Sequence, residues 1–286
     1  MSADRFWLVT TEHLTNGLWF RDEEDFKAGM NLVAALSVLF PIKICSFILM
    51  SNHVHFILYG MRKDVEAFVL RLKKQHSQYF SHKYGGKKRL LRSNEIDIKE
   101  LSIEDESFHR AFAYVQMNSA SANLSLHSAD YKWGTGNTFF RTDKVEGIKA
   151  KELSARKIAR KVHSRINLPD NFIFNRDGYI DPSSYVPVRF IESIFRSLSR
   201  MRFFLNSSSK ARNIRESPSF SDQIVIPAMK ELSISLFRKR DMGEMDDKMK
   251  AELLKQVRYR FSSDINQLSR ISGLSYDSIV QLLDTF

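Results

Sequence analysis

The run Met50-Ser51-Asn52-His53-Val54-His55-Phe56 sets two histidines two residues apart at the mouth of an apolar stretch. In an extended strand alternate side chains share a face, so His53 and His55 point one way and Val54 points to the core. Two imidazoles placed like this can reach one divalent ion. About sixty residues further on, Tyr114-Val115-Gln116-Met117-Asn118 puts a phenol and a carboxamide one helical turn apart on the same face. A tyrosine there can act as a nucleophile, and Asn118 can offer its amide oxygen as a third metal ligand. Each motif also has a plainer explanation. The histidines could be two half-exposed residues on a sheet face or a zinc site of an unrelated enzyme, and the second pair could be a half-buried tyrosine beside a surface asparagine. His76 and His109 are assigned to packing or surface.

The elements that must position these residues alternate between β and α patterns. Phe6 to Thr10 is a short β-rich run, and Asp25 to Leu39 returns apolar residues at helical spacing after an acidic start. Ile42 to Met50 and Val54 to Tyr59 read as a hairpin. Asp64 to Tyr84 reads as a helix stopped by Gly85-Gly86, and Glu106 to Leu124 as another; Arg89 to Leu101 is ambiguous between loop and strand. The natural packing of this order is helices over an antiparallel sheet, a ferredoxin-like α+β domain over residues 1–147. After Gly147 the pattern is mostly helical. Residues 148–219 read as a helical extension and linker, with Asn206 to Ser219 the best linker candidate. Residues 220–286 read as an all-α module in which Gly273 marks a helix-turn-helix-like turn and Leu268, Ile271, Leu274 and Ile279 face inward.

Composition narrows the class. The 286 residues are 43% hydrophobic and 27% charged, with one cysteine, which excludes collagenous, disulfide-built and intrinsically disordered chains. No stretch approaches the roughly 18 apolar residues of a membrane helix, no signal peptide fits, and the single buried-type cysteine suggests a reducing, cytoplasmic setting. The formal net charge of +11 points to a polyanion. Residues 62–92 concentrate ten basic residues against two acids, and residues 151–286 hold 24 basic residues against 16 acids.

The motifs together resemble a known family, the HUH single-tyrosine transposases of the insertion-sequence 200/605 group, and most closely its REP-associated tyrosine transposases. Their Met-Pro-Asn-His-Val-His strand corresponds to Met50 to His55, their Tyr-x-x-x-Asn-Pro helix to Tyr114 to Ser119, and their Tyr-x-Trp-Ser-Ser-like segment to Tyr131 to Gly136. Phe20 to Asp25 and Leu72 to Tyr84 match two further family segments, so the resemblance runs over roughly residues 5 to 140. Ser51 and Ser119 stand where the family has prolines, and Gly134-Thr135-Gly136 where it has a serine pair.

This resemblance implies an HUH nuclease domain and a metal-dependent DNA endonuclease and strand transferase acting on single-stranded or hairpin DNA. Tyr114 would form a covalent 5′-phosphotyrosine, with Mg2+ or Mn2+ held by His53, His55 and Asn118. Arg71, Lys73, Lys74, Lys83, Lys87, Lys88, Arg89 and Arg92 would grip the DNA backbone. The implied protein is nucleoid-associated and acts as a monomer, with a homodimer as the other option and no membrane partner. A domesticated, catalytically idle DNA-binding regulator of the same fold is the alternative.

Overall fold

The computed structural model describes residues 4–11, 18–85, 96–122, 124–208, 220–261 and 263–285. Lys87, Lys88, Arg89 and Arg92, and most of the expected linker, lie outside the described residues. The first strand, β1 (Arg5–Thr10), leads to helix α1 (Glu23–Ser37). This helix begins two residues before the expected start because the Asp22 side chain accepts the Asp25 backbone N–H and caps it. A hairpin of β2 (Lys43–Leu49) and β3 (Val54–Gly60) follows, then the long α2 (Arg62–Tyr84), which ends where Gly85 takes a φ of 69°. The ambiguous stretch resolves as β4 (Asp97–Leu101).

The four strands form an antiparallel sheet in the order β2-β3-β1-β4. Both crossovers, through α1 and α2, lie on one face, which is the ferredoxin-like arrangement expected of this α+β order. Phe56 of β3 packs on Phe68 of α2 with ring centroids 5.6 Å apart. Its neighbours along the strand face the other way, where α3 (Ser107–Gln116) lies: Phe6 pairs with Tyr59 in register and packs on Phe108 at 4.7 Å. The long expected helix over 106–124 is broken. It stops at Met117, whose φ of −84° and ψ of 0° bend the chain before a further turn, α4 (Asn118–Ser121).

Beyond Gly147 the chain is not all-α. Gly147–Lys149 (β5) pairs antiparallel with Ile173–Asn175 (β6), on either side of α5 (Ala155–Val162). Strands of three residues are too short to show periodicity, which is why the sequence pattern reads as helical here. Ala150, Val162, Phe172, Phe174 and Ile180 bury this unit against Ala34 and Ala35 of α1. Within the helical extension, α6 (Val188–Phe195) and α7 (Leu198–Ser207) are separated where Arg196 adopts a φ of 67° and Ser197 caps α7. Phe195 and Phe204 join the core beneath α3.

Leu18 enters a second core with α8 (Asp222–Phe237), α9 (Asp247–Phe261), α10 (Ile265–Ser272) and α11 (Tyr276–Thr285). Gly273, at φ 74°, makes the turn between α10 and α11; Leu268, Ile271 and Ile279 are buried and Leu274 is partly so. Among the described residues no helix is long and apolar enough to cross a membrane.

One packing feature has a pH signature. His76 of α2 is buried, lies between Trp19, Phe20 and Tyr79, and bonds through Nε2 to the Trp19 carbonyl at 2.6 Å. Burial pushes its pKa below 6.5, against the pull of that carbonyl. The folded state therefore binds the proton less readily than the unfolded chain. The stabilisation is complete above pH 6.5 and is lost as pH falls from there. Thermal melts from pH 7.5 to 5.0 are expected to show the midpoint falling below pH 6.5, with a shallower fall in His76→Gln; an identical slope in the two proteins would rule out this origin.

Candidate active site

The β2–β3 hairpin closes with the Met50 N–H on the His53 carbonyl at 2.9 Å, and the Trp19 and Phe20 N–H groups clasp the Ser51 carbonyl at 2.7 and 3.0 Å. These bonds fix the turn that delivers the two histidines. His53 sits at the strand mouth, half-buried, and its Nδ1 lies 2.8 Å from Asn52 Oδ1. Because the carboxamide oxygen can only accept, Nδ1 carries the proton and Nε2 carries the lone pair, the form of imidazole that ligates metals. Sequence reasoning missed this role of Asn52, although its place beside His53 was the available signal.

His55 is fully buried, more so than the motif suggests, because α3 covers its face of the sheet. The His53 and His55 rings stand nearly perpendicular with centroids 4.9 Å apart, and the Tyr114 ring meets His55 edge-on at 5.3 Å. Two imidazoles and a phenol thus gather at one end of the sheet. Asn118 is buried; its Nδ2 donates to the Tyr114 carbonyl at 2.8 Å and the Val115 carbonyl at 3.4 Å, which keeps it one turn from Tyr114 despite the bend at Met117.

The two imidazoles stand close enough to share one divalent ion. With metal–nitrogen bonds of about 2.1 Å a ring centroid lies roughly 3.2 Å from the metal, so two rings on one ion stand at most about 6.4 Å apart. The 4.9 Å between His53 and His55 lies within that limit. Among the described residues no three His, Cys, Asp or Glu side chains converge, and the ligand pair that stands within reach of one ion is the two imidazoles.

The basic strip is arranged differently from the sequence expectation. α2 lies on the face of the sheet opposite α3, with Arg71 and Lys74 exposed on it and Lys73 buried. Lys83 does not stand open to a phosphate: its ammonium binds Asp22 at 2.7 Å and Asp25 at 2.7 Å. Tyr79 and Tyr84 donate to the same aspartates, and the Arg21 guanidinium lies 4.7 Å over each of the Phe80 and Tyr84 rings. The sequence reading placed Phe20 to Asp25 and the end of α2 in one family pattern without seeing that they interlock.

The Tyr131 to Thr135 segment runs along the outer edge of β2. The Leu49 N–H bonds to the Trp133 carbonyl at 2.8 Å and the Thr135 N–H to the Phe47 carbonyl at 3.0 Å. A side chain at Gly134 would bring its Cβ to 2.6 Å from the Phe47 carbonyl oxygen, so this backbone approach requires glycine.

No family model matches the sequence, and no curated protein matches it. Among solved structures, a REP-associated tyrosine transposase bound to a REP hairpin overlaps 61% of this chain and 90% of its own, at 15% identity and a TM-score of 0.34. An overlap this loose is a distant structural link that assigns neither family nor site.

Proposed function

We propose that the chain is a transposase-like DNA endonuclease and strand transferase that cleaves single-stranded or hairpin DNA through a covalent 5′-phosphotyrosine on Tyr114. The observation that carries this reading is the convergence of the His53, His55 and Tyr114 rings, with Asn118 bonded back to the tyrosine's own turn. Tyr114 Oη forms a bond to phosphorus as the bond from phosphorus to the 3′-oxygen breaks. The phenol gives up a proton and the departing 3′-oxygen takes one, so the exchange is proton-neutral. Attack by a 3′-hydroxyl reverses it without an external energy source.

An ordinary phenol, with a pKa of about 10, is only about 0.1% phenolate at pH 7. Mg2+ or Mn2+ on His53, His55 and Asn118 would supply positive charge that favours phenolate and draws charge from the phosphoryl oxygens. Arg71 and Lys74, the basic residues between 87 and 92, and the C-terminal bundle hold the rest of the DNA through its phosphates, as the net charge of +11 favours.

The test is to incubate the protein with a pool of labelled single-stranded and hairpin oligonucleotides and Mn2+. An SDS-stable adduct is expected, with the nucleotide on the tryptic peptide that contains Tyr114. An adduct on another residue, or none with any member of the pool, overturns the reading.

A further inference from the structure

Two residues beyond Tyr114, on the same helix, Gln116 is buried. Its Nε2 donates to Ser46 Oγ at 2.7 Å and to Thr135 Oγ1 at 2.7 Å, so both N–H donors of the amide are used. Thr135 Oγ1 also receives the Phe47 N–H at 3.0 Å and lies 3.1 Å from the Phe47 carbonyl, to which it donates. The threonine hydroxyl is then saturated: one proton given, two accepted. Three elements separated in sequence meet at this point, namely α3, the edge strand β2, and the segment along that edge.

The location matters more than the number of bonds. Ser46 stands beside the bulge in β2, and two residues further along that strand Ile48 is the cross-strand partner of His55. The amide therefore ties the tyrosine helix to β2 two residues from the position opposite the buried histidine. The other buried side chains of α3 are apolar and have little directionality, except His109, whose Nε2 lies 3.5 Å from the Ile194 carbonyl of α6. Apolar packing holds the helix on the sheet without directional bonds that select its rotation and slide. A buried amide with two hydroxyl partners fixes both.

We propose that Gln116, through Ser46 and Thr135, is a positioning residue that sets where Tyr114 stands relative to His53 and His55. This inference rests on the tyrosine reading above. A nucleophile shifted by about 1 Å can lose on the order of 100-fold in rate, while the His53 and His55 rings on β3 and the groups that grip DNA phosphates stay in place.

Thr135→Val keeps the shape of the side chain and removes the hydroxyl; Gln116→Leu removes the amide. Both are expected to slow adduct formation at saturating DNA by roughly 30- to 100-fold. The Kd for DNA should stay within about twofold of wild type, because the phosphate contacts assigned to α2 and the C-terminal bundle do not depend on the register of α3. Thr135→Ser keeps the hydroxyl and is expected to restore most of the rate. The isosteric Thr135→Val decides the matter should Gln116→Leu not fold. A Thr135→Val protein with the wild-type rate, or one whose rate and DNA affinity fall together, overturns the positioning role. Absence of any adduct in wild type instead overturns the tyrosine reading itself.

Discussion

Tyr114→Phe is expected to abolish covalent capture of DNA and leave both the fold and DNA affinity in place. The substitution removes only Oη, the atom that would bond to phosphorus. The ring, half-buried and edge-on to His55, keeps its packing, so the thermal midpoint should hardly move. Enzymes that lose their covalent nucleophile lose several orders of magnitude in rate, so a fall of at least roughly 1,000-fold, to the detection limit of a labelled-adduct gel, is the expected size. Binding is measured separately by fluorescence anisotropy at several salt concentrations. The phosphate term should give a steep salt dependence that is the same in both proteins. His55→Ala provides the contrast. It removes a ring from a fully buried position, so it is expected to weaken Mn2+ binding and lower the thermal midpoint as well as slow the reaction. Tyr114→Phe should do neither. A Tyr114→Phe protein that still traps DNA places the nucleophile on another side chain.

Much of this site is legible in sequence because its parts are local. A His-x-His pair faces one way in any strand, and a tyrosine and asparagine four apart share a face in any helix. The Asp22 cap, the Gly85 stop and the Gly273 turn are likewise local, which is why helix positions agree to within a few residues. What sequence does not show is which distant groups complete each local motif. Ser46, Gln116 and Thr135 look like three unremarkable polar residues until the fold brings them together. Lys73 and Lys83 belong to a basic strip by composition, but the helix turns the first inward and a pair of aspartates sixty residues earlier neutralises the second. The two interruptions, at Met117 and Arg196, arise without glycine or proline, the residues that ordinarily announce a break. The β5–β6 pair is hidden because its partners are three residues long and separated by a helix.

The largest loss of stability is expected at Asp25. Its side chain is completely buried at the start of α1 and accepts from the Arg21 backbone N–H at 2.8 Å, Tyr79 Oη at 3.0 Å, Tyr84 Oη at 2.8 Å and Lys83 Nζ at 2.7 Å. Burial and the neighbouring aspartates push both phenols well above the usual tyrosine range, so they remain donors across the working pH range. Burial alone would lower the pKa of Lys83, but its bonds to Asp22 and Asp25 raise it well above 10.5. Its contribution is therefore fully present below pH 10.5 and is lost only as pH rises through the higher folded value. At the acid end, burial would raise Asp22, yet Lys83, the Asp25 N–H and Tyr84 together hold it below 3.8, so its share is present above that pH and fades as pH falls further. Removing Asp25 leaves the Arg21 N–H and both phenols without this buried acceptor and leaves Lys83 with Asp22 alone, a loss of about 3–5 kcal/mol in all. Asp25→Ala should accordingly lower the thermal midpoint by roughly 10 °C for a chain of this size. Asp22→Ala, at a side chain 40% exposed, should cost distinctly less. The double variant Asp25→Ala/Lys83→Met discriminates between a charge effect and lost packing. If the damage comes from the stranded ammonium, the double variant unfolds at a higher temperature than Asp25→Ala alone; simple addition of the two single losses would assign the cost to packing around α1 instead.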